Sequence, residues 1–499
     1  MKVMLLYPPE QNWPDTMCKP NGSLAYPMLA GALLEAGIEV EIYDACVGDA
    51  SDDLQKTFYN SVELPNGMLR TGVTDKRILN KISDSDIVGI TSIFSHQESM
   101  VLHTVRLIKE HYPEKIIVSG GVNARHRSEL FFDAGVDIIC NSEAEATIVQ
   151  IAEAVRHRRG FSEIPGITYK QGGKVRTSSS RGAVVWNLDE LPMPAWHLLP
   201  NERYWKIRRP HGGHFDADED LRYASMMTSR GCPFSCSYCH IAGELSNSLS
   251  GPIGRFRIKS DERVLKELHI LKDLGVKQVF IEDDSIFGKK RRAIKLIKKI
   301  KGLGLDILDV NGVNIIHLLK KGEPDIEVIE LLAEAGFRDI VLPFESANPR
   351  IIKKYCSNKW DIENANVTDL IKECKKRNLR VAGNIMIGYP DETLEEIEKS
   401  LQYAKDRMND GLDACNFFLV MPLPGTPMFD ECMRDGYLPE DFNPDRMHWQ
   451  KANMINTTVP PKKLEEIRDK AWAEINSSKF TTYKQDMIVD TNSGEIHKI

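Results

Sequence analysis

Two series of short apolar segments, each separated by helix-like stretches, constrain the fold of this 499-residue chain more than any other feature. The first series occupies residues 2–140 and the second residues 224–420. Strands that are apolar along most of their length are typical of parallel sheets that helices cover on both faces. We therefore predict an α/β protein with two successive parallel sheets.

The first series predicts a doubly wound, Rossmann-like domain over residues 1–160. Its strands are predicted at 2–7, 39–44, 87–92, 115–119 and 136–140, with helices at 24–36, 97–110, 128–134 and 144–156. Ligands of such sheets lie at the carboxyl ends of the strands. Small or polar residues follow those ends here, which suits a large ligand: Pro8, Thr91, Ser92, Gly120, Gly121 and Glu143.

The second series predicts a partial (β/α)6 TIM barrel over residues 224–437. Six strands are predicted, at 224–228, 278–282, 308–312, 339–343, 380–387 and 414–420, and six units are too few for a complete eight-unit barrel. Residues 161–223 are predicted to be a connector with a proline-bearing stretch. Residues 438–499 form a C-terminal extension of mixed helix and loop character.

Composition excludes several classes of protein. A net charge of −7 gives no positive field to hold a nucleic acid backbone, so we expect no nucleic acid partner. No run approaches the roughly 20 apolar residues that cross a bilayer, and prolines interrupt the short apolar start, which does not read as a signal peptide. We therefore predict a cytoplasmic protein without a transmembrane segment.

Three of the ten cysteines cluster in one loop after the first barrel strand: Cys232, Cys236 and Cys239. Three thiolates at these spacings can hold three corners of a [4Fe–4S] cluster, which normally takes four cysteines. The missing fourth ligand leaves one iron open to an external ligand. A structural zinc site fits poorly, because zinc sites usually show a second ligand pair further along the chain.

The loop resembles the signature of the radical S-adenosylmethionine superfamily, C-x-x-x-C-x-aromatic-C, with Tyr238 as the aromatic residue. The first 160 residues are similar to the cobalamin-binding domain of the cobalamin-dependent subgroup, through segments 22–27, 120–121 and 141–145. The connector segment 191–196 is also family-like.

The resemblance implies that S-adenosylmethionine chelates the open iron, near Tyr238. It also implies further S-adenosylmethionine contacts on later barrel strands, where glycines allow close backbone approach. These contacts are Glu282, Asp283, Asp284, Glu345, Ser346, Gly383 and Gly388. For the carboxylates the alternative is a solvated loop or a charge near a helix N-terminus.

Cobalamin would lie against Pro8, Thr91, Ser92, Gly120, Gly121 and Glu143. The sequence has no Asp-x-His-x-x-Gly motif, which supplies a histidine to cobalt in many cobalamin proteins, and the radical subgroup commonly lacks it too. The lower face of the cobalt would then be filled by water, another side chain or nothing, and axial ligation is a main control on such a cofactor.

The resemblance leaves three kinds of function open. The first is a methyltransferase that forms a 5′-deoxyadenosyl radical and transfers methyl from methylcobalamin to an unactivated carbon or phosphorus. The second is a cyclase or oxidoreductase like the anaerobic tetrapyrrole cyclases, and the third is an iron–sulfur or cobalamin sensor. We favour the first, with a small-molecule or peptide substrate and an external flavodoxin- or ferredoxin-like electron donor. A methylthiotransferase would need a second three-cysteine cluster, for which Cys18, Cys46 and Cys140 are the available residues.

Overall fold

A computed structural model describes residues 1–20, 22–178, 182, 184–210, 221–245, 249–485, 488–489 and 496–497. The first seven labelled strands form one sheet: β1 (Lys2–Tyr7), β2 (Glu39–Asp44), β3 (Ile87–Thr91), β4 (Ile116–Gly120), β5 (Ile138–Cys140), β6 (Ile167–Gln171) and β7 (Lys174–Thr177). Their order is β7-β6-β5-β4-β3-β1-β2, so the winding direction reverses between β1 and β3. Such a switch point is where open α/β sheets bind ligands.

The strands β1 to β5 pair in parallel, whereas β6 and β7 are antiparallel. Residues 167–177 lie within the segment predicted as a connector, yet they extend this sheet at one edge. All four residues of β7 are exposed, and the segment lacks the continuous apolar run that is typical of a buried strand. The domain boundaries themselves stay a prediction.

Helices cover both faces of the first sheet, as a doubly wound domain requires. They are α1 (Ala25–Glu35), α2 (Asp75–Ile82), α3 (Glu98–His111), α4 (Val122–His126), α5 (Ser128–Ala134) and α6 (Glu145–Arg156). Alternate residues of β1 enter two separate cores: Val3, Leu5 and Tyr7 pack with α1 and α6, and Met4 and Leu6 pack with α2, α3 and α5. The doubly wound fold is therefore confirmed.

The second sheet has six strands in sequential order, all parallel. They are β8 (Tyr223–Met226), β9 (Gln278–Ile281), β10 (Asp306–Asp309), β11 (Phe337–Glu345), β12 (Arg380–Ile387) and β13 (Ala414–Leu419). The partial barrel is confirmed. The bounds of Arg380–Ile387 are as predicted, and the other five strands differ by one to three residues. The largest difference is at β10, which ends at Asp309 because the chain turns before Gly312, whose φ is +87°.

Most helices of the second half pack around this sheet, but the first of them packs beside Cys46, at the end of β2, through Tyr204 and Ile207. They are α7 (Asn201–Ile207), α8 (His240–Glu244), α9 (Asp261–Asp273), α10 (Lys290–Ile300), α11 (Ile326–Glu334), α12 (Pro349–Tyr355), α13 (Val367–Lys376), α14 (Leu394–Asn409), α15 (Pro427–Arg434) and α16 (Pro461–Gln485). In the C-terminal extension, α16 packs on β13, where the Asn476 side chain accepts a hydrogen bond from the Cys415 amide at 3.0 Å. Among the described residues, no helix combines the length and apolar character needed to cross a membrane.

Shorter strands complete the described structure: Glu10–Asn12 with Leu69–Thr71 and Val62–Glu63, Ser229–Arg230 with Arg257–Ile258, Leu319–Lys320 with Glu323–Pro324, and Ile488–Val489 with Ile496–His497. The predicted connector and C-terminal extension each include residues that lie outside the described part, namely 179–181, 183, 211–220, 486–487, 490–495 and 498–499.

Candidate functional site: a cavity between the two sheets

The three-cysteine loop follows β8 and is held by backbone contacts. Gly231 has φ +76°, and a Cβ atom there would lie 2.4 Å from the carbonyl oxygen of Gly254. The Cys232 amide donates to that same carbonyl at 3.1 Å, and the Cys239 amide donates to the Cys236 carbonyl at 3.0 Å. A side chain at 231 would therefore push the first cysteine out of position.

The spacing of the three thiols disfavours a single metal ion. Two thiolates on one tetrahedral zinc lie about 3.8 Å apart, whereas Cys232, Cys236 and Cys239 do not all come within 4.8 Å of one another. Burial raises the pKa of Cys232 to about 11 and also raises that of Cys236. A bound cation would be needed to hold these groups as thiolates.

The three acidic residues that follow β9, Glu282, Asp283 and Asp284, have two different roles. Asp283 accepts hydrogen bonds from the Thr228 amide at 2.5 Å and from the Thr228 and Ser229 hydroxyls at 2.6 Å, so its carboxylate holds the start of the cysteine loop. Asp284 accepts from the Gly231 amide at 3.0 Å. Glu282 and Asp284 line the cavity described below, and burial raises the pKa of both.

Glu345 ends β11 beside the loop, with φ +61°. Its Oε1 accepts a hydrogen bond from the Tyr238 hydroxyl at 2.9 Å and one from the Lys359 ammonium at 2.5 Å. Ser346 is fully buried instead, and its hydroxyl accepts from the Asn348 amide at 3.2 Å. Lys359 was not predicted from the sequence, because it lies in a loop without a motif.

The two glycines predicted to contact S-adenosylmethionine, Gly383 and Gly388, lie outside the cavity lining. A Cβ atom on Gly383 would meet the Phe344 ring at 2.4 Å, so this glycine serves close packing within the barrel. Gly388 has φ +81°, and its amide donates to Glu392 at 2.7 Å. Their contact with S-adenosylmethionine stays a prediction.

A cavity of about 380 Å³ opens where the carboxyl ends of the two sheets face each other. From the first sheet, Thr91, Gly120, Gly121 and Glu143 line it, which are four of the six residues predicted to contact cobalamin; that contact stays a prediction. Pro8 and Ser92 do not. Ser92 is buried and its hydroxyl accepts from the Asn123 side chain at 3.0 Å, while Pro8 is buried at the end of β1.

Glycines shape the side of the cavity that residues 5–148 of the first half form, which we call the first wall; the side formed by residues 227–284 is the second wall. Gly121 has φ +100°, and a Cβ atom there would lie 2.4 Å from the Ser92 carbonyl oxygen. Tyr26, on α1, also lines the cavity; its hydroxyl donates to the Leu6 carbonyl at 2.6 Å and accepts from the Thr91 amide at 2.7 Å. This side chain fixes the ends of β1 and β3, and it lies in the segment singled out at residues 22–27.

Ion pairs connect the two sides of the cavity. Glu143 accepts from Arg230 at 2.9 Å, from Arg257 at 2.8 Å and from the Val185 amide at 3.0 Å. Arg230 also pairs with Glu145, and Arg125 of α4 pairs with Glu244 of α8. Buried arginines need such partners, so Glu143, a predicted ligand contact, is also the centre of a network that joins the two sides of the cavity. None of the three arginines was predicted from the sequence.

Asp309, at the end of β10, is a buried carboxyl to which no side chain among the described residues donates a hydrogen bond, and only the backbone amides of Asn311 and Gly312 partly offset its burial. Burial, together with the neighbouring charge of Asp283, raises its pKa to about 8. Perturbed carboxyl groups of this kind concentrate at functional sites, although structural networks produce them too.

Residues 226–404 match the family described as the Radical SAM superfamily. An uncharacterized methyltransferase of Pyrococcus horikoshii is 30% identical over 77% of this chain and 75% of the relative. The cytidylyl-2-hydroxyethylphosphonate methyltransferase of Streptomyces wedmorensis is 26% identical over 91% and 86% of the two chains. An anaerobic magnesium-protoporphyrin IX monomethyl ester cyclase of Cereibacter sphaeroides is 22% identical over 79% and 59%.

Among solved structures, the cobalamin-dependent S-adenosylmethionine radical enzyme OxsB, with aqua-cobalamin and S-adenosylmethionine bound, has a similar fold. The TM-score is 0.67 at 16% identity, over 97% of this chain and 67% of that one.

Proposed function

The chain belongs to the radical S-adenosylmethionine superfamily, among its methyltransferases, and on this premise we propose that it is a cobalamin-dependent C- or P-methyltransferase. The observation that carries the proposal is the cavity itself. It joins the glycine-lined switch point of the first sheet to Gly231 and His240, which flank the three cysteines, so a cluster on those cysteines and a cofactor on the first sheet would lie at opposite sides of one cavity.

The cysteine loop fits a [4Fe–4S] cluster. Three thiols are spaced too widely for one ion, and the described loop offers no fourth cysteine. A bound cluster would supply the electron that cleaves S-adenosylmethionine. Asp283 and Gly231 keep the loop in place for that ligand set, and Glu282 and Asp284 offer carboxylates to the cationic end of S-adenosylmethionine.

The first wall fits a large, flat cofactor such as cobalamin, which would supply a carrier for the methyl group. Gly89, Gly120 and Gly121 keep it open, and Leu5, Ile90 and Val118 give it an apolar surface. Within the described lining, no histidine comes from the first sheet. This agrees with the missing Asp-x-His-x-x-Gly motif, and we propose a cobalt without a histidine ligand.

The acceptor is proposed to be an unactivated carbon or phosphorus of a small molecule or peptide. Two of the relatives above carry names of methyltransferases, and one of them acts on a cytidylylated hydroxyethylphosphonate. A cyclase is the second candidate, supported by the more distant magnesium-protoporphyrin relative. The reducing electron would come from a flavodoxin- or ferredoxin-like protein, and we propose a cytoplasmic location.

The proposal is tested with anaerobically purified protein, reconstituted with cluster and cobalamin, reduced, and supplied with S-adenosylmethionine. Formation of both 5′-deoxyadenosine and S-adenosylhomocysteine supports a methyltransferase, whereas 5′-deoxyadenosine alone, with a candidate acceptor present, favours the cyclase. The Cys232→Ala/Cys236→Ala/Cys239→Ala variant is the control. If the loaded parent forms neither product, the sensor hypothesis replaces the enzyme proposal.

A further inference from the structure

A second group of ligand atoms lies away from the cavity, in the first half of the chain. One carboxylate oxygen of Glu10 and the sulfur atoms of Cys18 and Cys46 all lie within 4.8 Å of one another. Across the described residues, this is the single set of three or more His, Cys, Asp or Glu ligand atoms that meets this limit. None of the three residues lines the cavity.

Three separate chain segments build this group. Glu10 begins the short strand that follows β1 and pairs with Leu69–Thr71. Cys46 follows β2, where its amide donates to the Asp44 side chain at 2.9 Å. Cys18 comes from the loop that precedes α1. The pairing of β1 with β2 therefore fixes two ligands, and the loop brings the third over them.

The distances agree with tetrahedral zinc. With Zn–S near 2.3 Å and Zn–O near 2.1 Å, tetrahedral angles give about 3.8 Å between two sulfurs and about 3.6 Å between sulfur and oxygen. Here the two sulfurs are 3.9 Å apart, and the Cys18 sulfur is 3.5 Å from Oε2 of Glu10. Two of the three distances therefore match the edges of a zinc tetrahedron, and the third, between the Cys46 sulfur and a Glu10 oxygen, is within 4.8 Å.

Burial makes a cation favourable at this position. Glu10 and Cys18 are each 9% exposed and Cys46 is fully buried. Thiols are weak hydrogen-bond donors and acceptors, so these contacts satisfy the buried carboxyl poorly. A divalent cation would replace the protons and be held by all three groups.

We propose that Glu10, Cys18 and Cys46 bind one zinc ion, with a water in the fourth position. Two thiolates and a carboxylate favour zinc over magnesium or calcium, which prefer sets of oxygen ligands. The ion fastens the loop of Cys18 to the ends of β1 and β2. Cys140 lines the cavity instead, so the three N-terminal cysteines do not assemble the second cluster of a methylthiotransferase.

The test counts zinc in the full-length chain with its iron–sulfur cluster in place. The protein is incubated with zinc, desalted and measured by inductively coupled plasma mass spectrometry. We expect about one zinc per chain in the parent and none in the Cys18→Ser/Cys46→Ser variant. The matched control, Cys374→Ser/Cys432→Ser, removes two buried cysteines from the barrel half and keeps the zinc.

A second measurement covers the case in which the double variant fails to fold. Cobalt in place of zinc gives thiolate-to-cobalt absorption, which we expect in the parent and in Cys18→His, where a ligand is retained. Glu10→Gln should weaken zinc binding at least tenfold in competition with a chelating dye. Equal zinc in the parent and in a folded Cys18→Ser/Cys46→Ser variant overturns the proposal. So does a Cys18–Cys46 disulfide in the metal-free parent that persists when zinc is supplied under reducing conditions.

Discussion

The two walls of the cavity differ in how they are built. The first wall is mainly glycine, apolar and hydroxyl-bearing side chains, and its charged residues are Arg125, Glu143 and Glu145. The second wall presents charged or ligating side chains, including Arg230, His240 and Glu282, beside the cysteine loop. A surface of the first kind selects a ligand by shape, whereas one of the second kind selects it by charge and coordination. The first wall should therefore be sensitive to added bulk and the second to removed side chains.

The largest effect is expected at the cysteine loop. Cys232→Ala removes one of three cluster ligands, and we expect loss of nearly all bound iron and of 5′-deoxyadenosine formation. Iron content and product mass spectrometry measure both. Cys374→Ala, in α13, is the control and should retain both. If the Cys232→Ala protein still bound iron and formed 5′-deoxyadenosine, Cys232 would not be a ligand of the cluster.

Glu143 tests the connection between the walls. Glu143→Ala leaves Arg230 and Arg257 without their shared carboxylate, and breaking a buried pair costs about 3–5 kcal/mol. Calorimetric unfolding should show a lower transition temperature for one or both halves. Glu41→Ala, which removes a half-exposed carboxylate beside Lys2 and Lys81, is the matched control, with about 0–1 kcal/mol expected. Equal effects would mean that the walls are not coupled through Glu143.

Asp309 tests whether a buried carboxyl of the second sheet lowers the stability of the protein as pH rises. Its pKa of about 8 exceeds the unfolded value of about 3.9. Between these values the folded state binds the proton more tightly, so this group's contribution to stability falls as pH rises. The parent should therefore lose about 3–4 kcal/mol of unfolding free energy between pH 5 and pH 8 through this group, and Asp309→Asn should abolish that loss.

The measurement for Asp309 is the unfolding free energy, or the transition temperature, of parent and variant across that pH range. Asp306→Asn, on the same strand beside Arg338, is the control and should leave the pH dependence of the parent in place. Parallel profiles for the parent and Asp309→Asn would show that Asp309 is not held protonated.

The smallest effect is expected at the first wall. A Cβ atom on Gly120 would have its nearest neighbour at 3.7 Å, so the backbone tolerates a side chain there. Gly120→Leu should fill part of the cavity and weaken cobalamin binding by about 1–3 kcal/mol, or roughly 5- to 150-fold. Spectroscopic titration measures the affinity. Gly160→Leu, at a position with open space around it, should bind cobalamin as tightly as the parent does. Equal affinity in both variants would contradict the proposal that the first wall selects its ligand by shape.

The sequence by itself determined the alternating strands, both sheets and the cysteine loop. These features depend on neighbours along the chain: apolar runs predict buried strands, and loop spacing sets which thiols can share a cluster. The predicted strand Arg380–Ile387 has the observed bounds, whereas β6 and β7 were missed because edge strands lack a continuous apolar run.

Only the tertiary structure decided which side chains face the cavity. Glu282, Asp283 and Asp284 are adjacent carboxylates in the sequence, yet Glu282 and Asp284 line the cavity whereas the carboxylate of Asp283 accepts hydrogen bonds from the start of the cysteine loop. Glu143 meets Arg230 and Arg257, and Glu10 meets Cys18 and Cys46, across separations that no local pattern records. The physical reason is that such groups are assembled by the packing of whole sheets, which sets distances between residues that chain connectivity leaves free.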